Sequence, residues 1–119
     1  MNTILLVEDD DDIRECFAEI LRHEGYTVLE AEHGQRALEL LDSVKGQPCL
    51  VLLDMMMPVM SGPELLRILE ETNRLASLPV VVISAGGRAD DAGSAKKFVR
   101  KPASPELIIQ IAREFCSPA

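Results

Sequence analysis

Five short, mostly apolar runs alternate with segments of helical period, and this alternation constrains the fold more than any other feature of the chain. The runs are Thr3 to Val7, Thr27 to Ala31, Cys49 to Leu53, Pro79 to Ile83 and Phe98 to Arg100. Continuously apolar strands separated by helices require a parallel sheet with both faces covered. Right-handed crossovers leave few ways to wind five such units. In an open sheet of this kind, ligands sit beyond the carboxyl ends of the strands, where the strand order reverses.

The intervening segments carry helix signals. From Asp12 to about Glu24, the residues Ile13, Cys16, Phe17, Ile20 and Leu21 fall on one helical face, and Gly25 supplies the stop. Gln35 to Val44 predicts a second helix burying Ala37, Leu38, Leu41 and Val44, ended by Gly46 and Pro48. Ser61-Gly62-Pro63-Glu64 has the form of a capping box, and the helix behind it presents Leu65, Ile68, Leu69 and Thr72. Ser104-Pro105 caps a last helix whose inner face is Ile108, Ile111, Ala112 and Phe115. Between Ser84 and Lys101 the chain is short, carries Gly86, Gly87 and Gly93, and shows no apolar stripe from Arg88 to Ala95. Glycine costs about 1 kcal/mol relative to alanine inside a helix, so the fourth helix is expected to be shortened or missing.

Bulk properties narrow the function classes. At 119 residues with 47% hydrophobic residues, the chain is expected to form one domain, 1–119, with a real core. The formal net charge of -8 repels nucleic acid phosphates and anionic lipid, so direct nucleic-acid or membrane partners are not expected. Cys16, Cys49 and Cys116 are widely spaced among apolar neighbours, which predicts buried free thiols and a cytoplasmic compartment. The first apolar run is too short for a signal peptide or a membrane span.

Four of the strand ends deliver polar groups to one edge of the sheet: Glu8 and Asp9, then Asp54, Ser84 and Lys101. Asp10 to Asp12 read as a solvated turn with one aspartate capping the next helix. Asp54 is different, because it lies between Cys49-Leu50-Val51-Leu52-Leu53 and Met55-Met56-Met57. A carboxylate buried there needs a cation or a good donor. Two like charges about 4 Å apart repel by about 4 kcal/mol at an effective dielectric of about 20. If Asp9 and Asp54 share a pocket, it calls for Mg²⁺ or a lysine, and Lys101 could supply part of that charge. The residues alone leave open a plainer arrangement, a buried Asp54–Lys101 pair with no chemistry.

In order and spacing these segments resemble the receiver domains of bacterial two-component response regulators over the whole chain. Ile4-Leu5-Leu6-Val7-Glu8-Asp9-Asp10 is similar to the family's opening strand and acidic pair. Leu52-Leu53-Asp54-Met55-Met56-Met57-Pro58, with Gly62 behind, resembles the segment around its phosphorylated aspartate. Val82-Ile83-Ser84-Ala85 resembles the strand that ends in its switch hydroxyl, and Lys101-Pro102 its lysine and following proline. The resemblance implies an α/β, doubly wound, five-stranded parallel sheet of flavodoxin-like order 2-1-3-4-5. It also implies a phosphorylation-dependent signalling switch, not an enzyme, though one that assists its own phosphorylation and dephosphorylation. Asp54 would accept a phosphoryl group from a sensor histidine kinase or phosphotransfer protein. Glu8, Asp9, Asp54 and the backbone carbonyl of Met56 would hold Mg²⁺ or Mn²⁺. Lys101 would neutralise the transferring group, while Ser84 and Phe98 would act as switch residues toward a downstream protein target; for Phe98 plain core packing stands as an equal reading. Met56 and Gly86 would flank the hydrolytic water, which implies intermediate to slow self-dephosphorylation.

Some positions depart from the family pattern: Ser61 where an aspartate is usual, Ala103 where a large apolar residue is usual, and the short glycine-rich stretch before Lys101. The truncated fourth helix predicts an output other than the dimer commonly formed on that face. Two alternatives compete. A haloacid-dehalogenase-type phosphotransferase would need an aspartate two residues past the nucleophile, where this chain has Met56. A degenerate receiver acting only as a docking module would not need the complete set Glu8, Asp9, Asp54, Ser84 and Lys101.

Overall fold

The computed structural model describes residues 2–43, 48–55, 57, 59–74, 77–85, 93 and 95–117. In chain order the elements are β1 (Thr3–Val7), α1 (Asp11–His23), β2 (Thr27–Ala31), α2 (Gly34–Ser43), β3 (Leu50–Leu53), α3 (Gly62–Glu71), β4 (Val80–Ser84), β5 (Lys97–Arg100) and α4 (Pro105–Phe115). All strand pairs are parallel and the sheet order is β2-β1-β3-β4-β5. The expected flavodoxin-like order is therefore present. The place of the shortened or missing fourth helix, 86–92 and 94, lies outside the described residues, as do Val44, Gly46, Met56 and Pro58.

Alternation along the strands divides the core into two layers. Ile4, Leu6, Leu50, Leu52, Val81 and Ile83 pack against α1 and α4 through Phe17, Leu21, Ile108 and Ile111. Leu5, Val7, Val51, Leu53, Val80 and Val82 point to the other face, against α2 and α3 through Ala37, Leu65, Leu66 and Leu69. Burying both faces of β1, β3 and β4 explains why their sequences are continuously apolar.

Helix starts follow from side-chain caps. Asp10 accepts a hydrogen bond from the backbone N–H of Ile13 at 3.0 Å, so α1 begins at Asp11. Ser61 accepts from Glu64 N–H at 3.4 Å, and Ser104 from Leu107 N–H at 3.1 Å. Each cap satisfies one of the N–H groups that a helix start leaves without an internal partner. Gly25, at φ 95°, ends the α1 turn in the left-handed region that glycine enters without steric cost.

Three sequence expectations are corrected. The inner face of α1 is Phe17, Ala18 and Leu21, with Ile13 and Ile20 half-buried, and Cys16 is exposed. Likewise Leu66, not Thr72, completes the buried face of α3. The three cysteines are not buried free thiols. Cys49, just before β3, and Cys116, just after α4, form a disulfide with Cα atoms 5.5 Å apart, while Cys16 is a free surface thiol. Apolar sequence neighbours place a cysteine near the core but do not say what the fold sets opposite it.

Candidate functional site

The carboxyl ends of β1, β3, β4 and β5 converge as the sequence predicts. Asp54 leaves β3 with its backbone N–H donating to Val7 O at 2.9 Å, so its position is tied to the end of β1. Asp54, Glu8 and Ser84 are buried, at 5%, 3% and 0% exposure, whereas Asp9 is exposed. One carboxylate oxygen from each of Glu8, Asp9 and Asp54 falls within a cluster whose atoms lie within 4.8 Å of one another.

The buried carboxylates are compensated from three directions. Ser84 Oγ donates to Asp54 Oδ1 at 3.0 Å. Lys101 Nζ lies 3.9 Å from Asp54 Oδ2 and makes a closer, direct ion pair with Glu8 Oε1. Glu8 Oε2 accepts from the Asp10 N–H at 3.2 Å. No buried side-chain nitrogen or oxygen lacks a partner among the described residues. Lys101 itself is fixed by its N–H donating to Ser84 O at 3.0 Å, which docks the end of β5 on β4.

Lys101 therefore meets Asp54, as one reading of the sequence has it, and adds a closer pair with Glu8 that the sequence does not suggest. Glu8 lies deeper than its place at the edge of an acidic run implies. Burial pushes the Glu8 carboxyl up to about 7; Lys101 opposes the shift and the neighbouring Asp54 adds to it. A cationic ammonium against that group lowers the cost of keeping it ionised.

The donor set suits a hard divalent cation. Carboxylate oxygens are the ligands Mg²⁺ and Mn²⁺ prefer, and Mg²⁺–O distances of about 2.0–2.1 Å place oxygens around one ion about 3–4 Å apart. The spacing of Glu8, Asp9 and Asp54 is close to that requirement, and three acids against Lys101 leave the pocket net negative. The Met56 carbonyl, expected to join the set, is outside the described residues.

Phe98 is half-buried on the α2–α3 side of the sheet, and the Arg100 guanidinium lies 5.6 Å from its ring centroid. Two functional contacts escaped the sequence reading. Gly62 lies so close to the β3 loop that a Cβ there would meet Met55 Cα at 2.7 Å and Asp54 O at 2.8 Å. Arg14 donates from Nη1 to the Glu8 carbonyl at 2.9 Å. No periodicity marks Arg14; only its position two residues past the acidic run Glu8 to Asp12 could have drawn notice.

Comparison with known proteins agrees with this geometry. Residues 4–113 match the family model described as response regulator receiver domain. The chain is 37% identical over 112 residues to the phosphate regulon transcriptional regulatory protein PhoB of Pseudomonas aeruginosa, covering 90% of this chain and 48% of that protein. It is 41% identical over 90 residues to the sensor kinase CckA of Brucella abortus, covering 76% of this chain and 9% of that one. Both relatives are thus at least about twice as long as the matched segment. Among solved structures, the response regulator TrrA of Thermotoga maritima, in complex with Mg²⁺–BeF, superposes with TM-score 0.83 at 30% identity over 97% of this chain and 99% of that one. The receiver domain of the hybrid histidine kinase CckA superposes with TM-score 0.80 at 31% identity over 98% and 100%.

Proposed function

The chain belongs to the response regulator receiver family of two-component systems, regulatory phosphoacceptor domains, and from that premise we propose that Asp54 accepts the phosphoryl group in a reaction dependent on Mg²⁺ or Mn²⁺. The observation that carries the proposal is the buried Asp54 carboxylate held between a hydroxyl, an ammonium and two further acids. The unit that switches is the receiver domain over 1–119.

The donor is a phosphohistidine on a sensor kinase or phosphotransfer protein; receiver segments within sensor kinases and transcriptional regulators among the relatives support this. An Asp54 oxygen attacks phosphorus, the P–O bond forms, the P–N bond to the donor imidazole breaks, and that imidazole takes a proton from solvent. The bound cation would supply charge neutralisation of the carboxylates and of the transferring phosphoryl oxygens. Glu8, Asp9 and Asp54 would hold it, together with the Met56 carbonyl. Lys101, poised 3.9 Å from Asp54, turns from Glu8 to a phosphoryl oxygen. Ser84, which now donates to Asp54 Oδ1, transfers that hydrogen bond to the phosphoryl group. Its movement vacates space next to β5, into which Phe98 turns, and the altered surface is read by a protein target.

An open apolar depression of about 500 Å³, lined by Ile13, Cys16, Phe17 and Ala103, borders Lys101 and gives a donor protein a surface beside the acceptor. From a kinase donor we infer a cytoplasmic location, a compartment in which the Cys49–Cys116 pair would be reduced. Among the described residues, no helix is long and apolar enough to cross a membrane. The net charge of -8 favours a protein target over nucleic acid. Intact mass after treatment with acetyl phosphate and Mg²⁺ should show one added phosphoryl group, not formed when EDTA is present during the reaction and absent in Asp54→Asn. Equal labelling of Asp54→Asn would overturn the assignment.

A further inference from the structure

The exposed carboxylate of Asp9 has no hydrogen-bond or ion-pair partner among the described residues, yet it belongs to the acidic cluster with Glu8 and Asp54. Its direction therefore depends on the backbone that carries it. That backbone is fixed on both sides. Ahead of it, the Glu8 N–H donates to Ala31 O at 2.9 Å and the Glu8 carbonyl accepts from Arg14 Nη1 at 2.9 Å. Behind it, the Asp10 N–H donates to Glu8 Oε2 at 3.2 Å and Asp10 caps α1. The Glu8 carbonyl belongs to the peptide that leads into Asp9, and among the described residues α1 reaches it through the Arg14 side chain.

Arg14 is built into the fold and does not trail on a helix surface. Its side chain is only 14% exposed, and its guanidinium reaches three groups at once: the Glu8 carbonyl, Asp11 Oδ1 at 2.7 Å and Glu30 Oε1 at 3.4 Å. Glu30, on β2, is itself held by Arg22 at 3.1 Å, and Arg22 also donates to Val28 O at 2.9 Å. A planar fork of donors joins a carbonyl and two carboxylates in one fixed geometry, whereas a lysine ammonium is a point charge with rotatable donors that does not fix it. The chain of contacts runs from β2 through Glu30 and Arg14 to the peptide between the two β1-end acids.

We propose that Arg14 is a positioning residue for the cation: by gripping the Glu8–Asp9 peptide it turns both carboxylates toward Asp54 before an ion arrives. Arg14 does not touch the ion. The proposal rests on the reading of Glu8, Asp9 and Asp54 as the cation site.

Charge and position make opposite demands, and this gives the test its sign. A guanidinium near a cation site repels the ion, so a purely electrostatic role predicts tighter binding when Arg14 is neutralised. A positioning role predicts weaker binding, because a carboxylate freed to rotate must be ordered again on binding. Loss of an outer partner of a metal ligand costs about 10–100-fold in affinity.

The experiment is Mg²⁺ titration by calorimetry, repeated with Mn²⁺ by electron paramagnetic resonance, on wild type, Arg14→Met and Arg14→Lys. Urea unfolding of the metal-free proteins accompanies each titration. Both variants should bind about tenfold more weakly than wild type, at the lower end of that range. Arg14→Lys keeps the charge, so its loss isolates the fork geometry, and it serves alone if Arg14→Met does not fold. Unchanged or tighter binding in Arg14→Met, or wild-type affinity in Arg14→Lys, overturns the inference, including the case in which only metal-free stability falls. Absence of Mg²⁺ binding by wild type would instead remove the cation site itself.

Discussion

Glu8 carries the most informative titration in the molecule. Its carboxyl is pushed from 4.5 up to about 7, first by burial, against the pull of Lys101 and with a further push from Asp54. The folded state therefore holds a proton that the unfolded chain has released, and stability from this group falls as pH rises from about 4.5 through about 7. Urea unfolding in EDTA at a series of pH values should show Glu8→Gln gaining on wild type across that window, and a constant difference on either side of it. A second residue-scale effect lies in the loop before α3. Val59 is 75% exposed and adopts φ 67°, a region that a β-branched residue enters only with strain. Val59→Gly should raise stability by about 1 kcal/mol, the strain relieved less the extra freedom glycine gives the unfolded chain. Thermal and urea unfolding at neutral pH will check it. A change of zero or a loss would mean that the loop is not under strain.

Elements meet at this site by backbone approach as much as by side chains. The first turn of α3 comes against the end of β3 so closely that Gly62 N–H donates to Met55 O at 3.1 Å. A methyl group at Gly62 would stand 2.7–2.9 Å from Met55 Cα, Asp54 O and Met55 Sδ. Two of these are backbone atoms that cannot rotate away, so the whole loop carrying Asp54 must shift. Gly62→Ala should cost about 1–3 kcal/mol, the range for overpacking. It should also slow phosphorylation by acetyl phosphate more than it lowers the Mg²⁺-free melting temperature would suggest, because the displaced segment carries the acceptor. Single-turnover labelling beside a melting curve separates the two effects. Gly62 was legible in the sequence as part of a motif, but the reason for it, contact with a backbone far closer than a Cβ allows, exists only once α3 is docked.

Across the whole molecule, one covalent link ties the start of β3 to the end of α4 within the core layer beneath α1 and α4. Cys49 and Cys116 are 67 residues apart in sequence and lie at the opposite edge of the sheet from Asp54. Closing a loop of that size stabilises the fold by about 2–4 kcal/mol, chiefly by restricting the unfolded chain. In a reducing compartment the pair would instead be thiols, with Cys49 Sγ 3.1 Å from the Thr3 carbonyl as its acceptor. Unfolding with and without a phosphine reductant should therefore differ by about 2–4 kcal/mol in wild type. The double replacement Cys49→Ala and Cys116→Ala should show no such difference. Because the link is remote from the acceptor, the labelling rate of folded protein should stay the same in both redox states.

The amino-acid order alone determined which runs are buried strands, where the helices start and which polar residues close the strands. These are local matters: a strand buried on both faces must be continuously apolar, a helix needs an acceptor at its first turn, and a carboxylate between Leu53 and Met55 stands out against both. It did not fix the rotation of the helices. A 3.6-residue repeat defines a stripe, and residues at its margin, such as Cys16 and Thr72, are placed by whatever packs against them. What only the tertiary structure decided are the encounters between distant segments: Cys116 reaching Cys49, Lys101 settling on Glu8 before Asp54, and Arg14 gripping the Glu8 carbonyl. Each depends on distances of a few ångströms between elements brought together by the winding of the sheet, and no pattern within one element carries that information.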